Sequence, residues 1–239
     1  MVEGGKIDWA CHANDAVSSV TNTIAFDLAV AEAVEFARKH PRDTLIVVTG
    51  DHECGGLTLG FAGTNYNTDF PLLKQQLISF QKFTDESLKL WKDECSGCSF
   101  DDLKPTITHY FGLKFDGDPS KDPMVVEAYQ EKMLEDAFLR SMAGEKVKSN
   151  DPHTNVLYGG YDPLVVSVTH ILNNKAGLAW TSFKHTGVPV STSAMGAGAD
   201  IFNGYYDNTD VARKIMSVMG VKGDVHRAEG PAAVKLAAN

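Results

Sequence analysis

Basic residues are in short supply: 22 Lys and Arg face 31 Asp and Glu, a formal net charge of −9. A protein that holds nucleic acid by neutralising its phosphates needs the opposite balance, so nucleic acid is excluded as an obligate partner. Cysteine is equally sparse. Four in 239 residues are too few for a disulfide-built scaffold. The lone Cys95-Ser96-Gly97-Cys98 pair lacks the second pair of a zinc ribbon, which leaves a local disulfide or two free thiols. No uninterrupted apolar stretch approaches the roughly 20 residues of a membrane helix, so no membrane span is expected. Met1-Val2-Glu3-Gly4-Gly5 has neither the basic start nor the apolar run of a signal peptide. Internal repeats and low-complexity blocks are lacking too. What is present is ordinary globular composition, 43% hydrophobic and 22% charged, in a length that suits one large domain or two small ones.

Periodicity gives an α/β reading. Ile24, Leu28, Ala31, Val34, Phe36 and Ala37 recur at helical spacing and Pro41 ends the run, which predicts a helix over 24–40. The β-branched run Leu45-Ile46-Val47-Val48-Thr49 follows and closes on Gly50-Asp51-His52, the pattern of a buried parallel strand. Sites in such sheets lie beyond the carboxyl ends of the strands, where Asp51 and His52 fall. From 65 to 158 the texture turns mainly helical, with runs at 70–83, 84–91 and 124–142. Breaks stand at Ser96-Gly97-Cys98, Gly117-Asp118-Pro119 and Ser149-Asn150-Asp151-Pro152. The α/β pattern resumes at Asp162-Pro163, an N-cap and first helical residue, with a helix to about Lys175. Strands are expected near 178–180 and 188–194, a last helix at 209–219, and a loosely held tail over 221–239.

Three short segments concentrate metal ligands. Asp8 and His12 are four apart, so a helical turn would set both on one side. Asp51 and His52 are adjacent, and joint coordination requires the strand to have ended in a turn, which Gly50 allows. Lys184-His185-Thr186-Gly187 carries a third histidine. Each alone has a bland reading as a cap, a polar loop or a surface group, and Glu3 alone reads as a solvated carboxylate. Trp9 and Cys11 are expected to pack beside the ligands, Glu53 and Cys54 to support the turn, and Lys184 to be solvated. His40, His109, His153, His170 and His226 read as structural or solvated.

Taken together and in order, Met1-Val2-Glu3-Gly4-Gly5-Lys6-Ile7-Asp8, His12, Thr49-Gly50-Asp51-His52 and His185-Thr186-Gly187-Val188-Pro189-Val190 resemble the C-terminal half of an alkaline phosphatase. Gly204-Tyr205-Tyr206-Asp207-Asn208-Thr209-Asp210 is similar to the segment that closes that fold. The resemblance implies that 1–64 and 159–220 form part of a central sheet flanked by helices, with 65–158 as the insert. It implies two Zn2+ and one Mg2+: Asp8, His12 and His185 on one zinc, Asp51 and His52 on the second, Glu3 on magnesium. It further implies phosphate monoester hydrolysis through a phosphoserine intermediate, a homodimer, and a periplasmic or secreted location. Two metals about 4 Å apart suit the spread anionic charge of phosphoryl transfer. The serine nucleophile, the phosphate-clamping arginine and the remaining ligands belong to the family's N-terminal half, and no Asp-Ser-Ala segment occurs here. That half is therefore expected as a partner in activity. A phosphodiesterase or sulfatase-like hydrolase on the same scaffold, and an inactive metal-binding fragment, stand as the other readings.

Overall fold

The computed structural model describes residues 1–145 and 151–221. In chain order the elements are α1 (Gly5–His12), α2 (Ala16–Lys39), β1 (Leu45–Thr49), β2 (Glu53–Cys54), β3 (Thr58–Leu59), α3 (Phe80–Lys82) and α4 (Lys89–Glu94). They continue as α5 (Phe100–Phe111), α6 (Ala128–Met142), α7 (Pro152–Tyr158), α8 (Pro163–Lys175), β4 (Leu178–Ala179), β5 (His185–Thr186), β6 (Thr192–Gly196) and α9 (Asn208–Val218). The chain divides into two compact units, one of Met1–Val30 with His52–Pro189, the other of Ala31–Asp51 with Val190–Asn239.

In the first unit the core is helical. Leu164, Val165, Val168, Ile171 and Leu172 of α8 pack with Leu103, Ile107 and Phe111 of α5 and with Leu134 and Phe138 of α6. Ten of the thirteen residues of α8 are buried, Ser167, Thr169 and Asn173 among them, so the helix is covered on almost every side. Its start is held by Asp162, whose Oδ1 accepts from the amides of Leu164 (3.0 Å) and Val165 (3.3 Å). The other oxygen of Asp162 accepts from Ser141 Oγ (2.5 Å) and Lys92 Nζ (3.2 Å), so the cap also ties α6 and the end of α4 to α8. Between α4 and α5, Cys95 and Cys98 form a disulfide, the first of the two states their spacing allowed. α5 then opens with a capping box in which Asp102 accepts from the amide and hydroxyl of Ser99, hydrogen bonds that hold its carboxyl below the usual range.

α2 begins eight residues earlier than its apolar spacing suggested. Thr21, Asn22 and Thr23 are poor helix formers, but each satisfies its side chain on a carbonyl one turn back: Val17, Ser18 and Ser19, all at 2.8 Å. The fully buried Asp15 starts the helix. Its carboxylate accepts from Ser18 N, Ser18 Oγ, Gln76 Nε2 and Phe80 N at 2.6–2.9 Å. α2 has 24 residues and contains an 18-residue stretch of mean hydropathy 1.2, so it is long and apolar enough to cross a membrane by length and composition. A search for uninterrupted apolar runs passes over this stretch, because the polar residues of α2 are spaced between apolar ones and leave the average high.

The second unit contains β1, β6 and α9. β1 pairs antiparallel with β6, from Leu45 opposite Gly196 to Thr49 opposite Thr192, and most of its residues are half-buried. The expected buried parallel strand is thus replaced by an antiparallel, half-covered one. An apolar β-branched run fits either environment, and which edge receives it depends on a segment about 150 residues away. The later strand lies at 192–196, four residues beyond its expected start, where Pro189, which cannot donate to a ladder, no longer interferes. Gly196 has φ +101°, and a Cβ there would sit 2.2 Å from the Thr44 carbonyl. Residues 222–239, most of the expected loose tail, lie outside the described residues, as do His226 and residues 146–150 at the Ser149-Asn150 break.

Candidate metal centre

α1 sets Asp8 and His12 one turn apart on the same side of the helix. The chain then turns at Asn14, which adopts φ +54°. Asn14 is the clamp between α1 and the rest of the first unit. Its Nδ2 donates to the carbonyls of Cys11 and Ser182, both at 2.9 Å, and its own carbonyl accepts from Asn173 Nδ2 at 2.8 Å. Because Nδ2 is the donor, Oδ1 accepts from His170 Nε2 at 2.9 Å. Burial lowers the pKa of that histidine to about 4, so the ring is neutral at pH 7. His170 is therefore a structural group, in line with its bland reading.

A second platform is the β2–β5 pair, in which Glu53 faces Thr186 and Cys54 faces His185. Glu53 braces it: Oε1 accepts from the Gly56 amide at 2.7 Å, and Oε2 accepts from the Thr186 hydroxyl. Gly55 follows with φ +84°, and a Cβ there would lie 2.6 Å from the Trp180 ring and 2.8 Å from the Cys11 carbonyl. Only glycine lets β2 come this close to α1.

The two platforms bring three of the expected ligands together. His12 Nδ1 lies 2.7 Å from the Phe183 carbonyl. A carbonyl can only accept, so Nδ1 carries the proton and Nε2 presents a lone pair. That Nε2 is 3.0 Å from His185 Nε2 and 3.4 Å from Asp8 Oδ2, while His185 Nε2 is 3.4 Å from Asp8 Oδ1. Tetrahedral coordination with bonds of roughly 2.0–2.1 Å has ligand-to-ligand edges of about 3.3 Å, and the separation of the two imidazole nitrogens, and of each from one of the two Asp8 oxygens, is of that size. Asp8 Oδ1 is buried and accepts no hydrogen bond, an orphaned oxygen of the kind a cation satisfies. His185 is the more open side, its side chain 47% exposed against 20% for His12. The donor set therefore fits a divalent cation of borderline softness.

Cys54, read from sequence as turn support, belongs to the same group: Asp8, His12, Cys54 and His185 offer four donor atoms that all lie within 4.8 Å of one another. Burial first, and then the hydrogen bond to the Asp8 carbonyl and the Asp8 charge, push the Cys54 thiol far up, so without a cation it is protonated. No sequence signal marked this residue, because only strand pairing sets it opposite His185.

The other expected ligands are placed less closely. The His52 ring stacks on that of His185 with centroids 3.4 Å apart and 21° between planes. Asp51 is exposed and falls in the second unit, after β1. Glu3 is exposed ahead of α1 and is outside the converging group. Trp9, expected beside the ligands, is 57% exposed, since the residue after Asp8 points about 100° away around the helix. Cys11 does pack inward, with Sγ 3.2 Å from Ser19 Oγ. Lys184, His40, His109 and His153 are exposed.

A family model described as alkaline phosphatase matches residues 1–221. The chain is 29% identical over 220 residues to alkaline phosphatase 4 of Bacillus subtilis (strain 168), covering 92% of this chain and 39% of that protein. Among solved structures it is similar to a cold-active alkaline phosphatase from the psychrophile Shewanella sp., with TM-score 0.65, 28% identity, and coverage of 91% of this chain and 44% of the other. The fold is likewise that of a Thermus thermophilus alkaline phosphatase, with TM-score 0.67 and 22% identity over 93% of this chain and 43% of that one. The chain thus spans well under half the length of these relatives.

Proposed function

The chain belongs to the alkaline phosphatase family, and from that premise we propose that it is the metal-holding part of a phosphate monoester hydrolase. Asp8, His12 and His185 hold one Zn2+, Asp51 and His52 contribute to a second, and Glu3 contributes to a Mg2+ site. The observation that carries this reading is the convergence of Asp8, His12 and His185: the two Nε2 atoms lie 3.0 Å apart, each is 3.4 Å from a different oxygen of Asp8, and the proton on His12 Nδ1 leaves the Nε2 lone pair facing this space.

The bound ions would supply electrostatic stabilisation of a phosphoryl group and in-line placement of its entering and leaving oxygens. What this chain's residues do is narrower. Phe183 fixes the His12 tautomer through its carbonyl. Asn14 locks the end of α1 against Ser182 and α8, so Asp8 and His12 keep their distance from His185. The exposed flank at His185 is the side from which an anionic ester would enter, and the cations offset the net charge of −9 there. No serine nucleophile in an Asp-Ser-Ala setting is present in this sequence, so turnover requires residues from the part of the family fold that the chain does not cover. The Cys95–Cys98 disulfide favours an oxidising compartment, the periplasm or the exterior.

The test is zinc content of the purified chain after reconstitution, paired with p-nitrophenyl phosphate hydrolysis in added zinc and magnesium. Bound zinc without turnover is the expected result, and turnover should appear on adding the complementary N-terminal portion of an alkaline phosphatase. A folded sample that takes up no zinc overturns the ligand assignment.

A further inference from the structure

The first half of α2 is apolar on two faces, and this chain covers only one of them. At about 100° per residue Phe26 and Val30 share one face. Both are half-buried, and the Phe26 ring lies 3.1 Å from where a Cβ on Gly4 would stand. Val20, Ile24 and Leu28 fall within about 80° of one another on a different side and are 45–64% exposed. Val17 shares their face. With Thr21 it lines a cavity of about 370 Å3 whose other walls include Lys6 and Trp9 of α1 and Leu77 and Phe80 around the start of α3. Trp9 and Leu77 are themselves more than half exposed. The outer face of α2 thus forms an apolar strip of about 17 Å, from Val17 to Leu28, with a socket at one end, all within the first unit.

A helix that is apolar on both sides belongs in an interior, and a contiguous exposed apolar surface marks an interface. A membrane surface fits this one poorly. Helices that lie on membranes carry Lys and Arg beside the apolar face, whereas the one charge in residues 16–30 is the exposed carboxylate of Asp27. A second copy of the chain would leave unseated the greater part of the family fold, since the chain covers 39% of the Bacillus subtilis relative and 44% of the Shewanella one.

We infer that the strip from the cavity to Leu28 is the surface on which the remainder of the alkaline phosphatase fold docks, with an apolar side chain of that partner filling the cavity. The inference rests on the reading of the chain as one part of a phosphatase and does not depend on which residues hold zinc. α1 carries Lys6 and Trp9 on this strip, and Asp8 and His12 on the side where the metal ligands converge. Docking here therefore seats the partner one helix away from the metal centre, where a supplied nucleophile is needed.

The experiment is co-expression of the chain with a tagged partner, the part of Bacillus subtilis alkaline phosphatase 4 that this chain does not match. Ile24→Glu, Leu28→Glu and Leu139→Glu variants are compared, the last altering an exposed leucine on α6. Expected is copurification of the unsubstituted chain and of Leu139→Glu, with apparent affinity at least about tenfold weaker for each α2 variant. The α2 variants should keep the melting temperature of the free chain within a few degrees, because the face they alter is uncovered. Failure of the unsubstituted chain to copurify, or equal retention of the α2 variants, overturns the inference. It is overturned as well if sedimentation shows a dimer of the free chain that Leu28→Glu dissolves, or if the chain floats with phosphatidylcholine–phosphatidylglycerol vesicles through Ile24 and Leu28. Zinc uptake by the same samples is read separately: uptake without docking leaves the metal assignment standing, and docking without uptake removes that assignment alone.

Discussion

The Nδ1 of His12 and the carbonyl of Phe183 meet at 2.7 Å, and this contact decides which face of the imidazole is available for chemistry. With the proton held at Nδ1, the bare Nε2 is turned toward His185 Nε2 at 3.0 Å and Asp8 Oδ2 at 3.4 Å. A main-chain acceptor makes the contact insensitive to the identity of residue 183, whose ring instead packs near His170 and Tyr161.

Asp8→Asn keeps the shape of the side chain and removes its charge. Zinc affinity should fall by at least about tenfold, while the melting temperature of the metal-free chain stays within a few degrees. Isothermal titration with Zn2+ and a thermal melt decide it. Unchanged affinity would remove Asp8 from the proposed site.

His170 makes stability depend on pH. Its folded pKa is about 4 against an ordinary 6.5, so between those values the unfolded chain binds a proton that the folded chain does not. Stability is therefore fully present above pH 6.5 and declines as pH falls toward 4. The loss from this group alone is on the order of 3 kcal/mol. Urea melts at pH 7.5 and 4.5 should differ accordingly for the metal-free chain, and His170→Gln should flatten that difference. Equal pH dependence in the variant would show that another group is responsible.

Asp15→Ala leaves Ser18 N, Gln76 Nε2 and Phe80 N without the carboxylate each now donates to, at a fully buried position. Destabilisation of about 2–4 kcal/mol is expected from the unsatisfied donors and the lost helix start. Chemical denaturation measures it, and a change below about 1 kcal/mol would mean that water replaces the carboxylate.

Gly55→Ala tests the close approach of β2 to α1. A methyl group would have to displace the Trp180 ring and the Cys11 carbonyl at a backbone angle that disfavours alanine. Zinc affinity should fall together with stability, since the change separates Cys54 and His185 from Asp8 and His12. Stability lost with affinity intact would show that the two platforms do not depend on this contact.

Thiol titration in denaturant without reductant should find two free groups, Cys11 and Cys54, and four after reduction, given the bridge between Cys95 and Cys98. Four groups before reduction would weaken the case for an oxidising compartment.

Several features were legible in the chain itself because they depend on near neighbours. The four-residue spacing of Asp8 and His12 puts both on one side of α1 once the helix forms. Asp162-Pro163 marks the start of α8, since a capping carboxylate and a residue without an N–H both suit a first turn. The apolar content of 45–49 identifies a strand but carries no information on its partner, so the expected parallel pairing gives way in the structure to an antiparallel one with β6. α2 was under-read at its start for a related reason: the buried Asp15 is held by Gln76 and Phe80, 61 and 65 residues away.

The sequence by itself determined the family and the placing of Asp8 and His12 on one side of α1, both of which rest on local order along the chain. Only the tertiary structure decided that His185, 173 residues from His12, reaches its Nε2, that Phe183 selects the tautomer, and that Cys54 turns its sulfur into the same space. Those relationships follow from strand pairing and from the Asn14 clamp, contacts whose partners are far apart in the chain and whose geometry no residue pattern encodes.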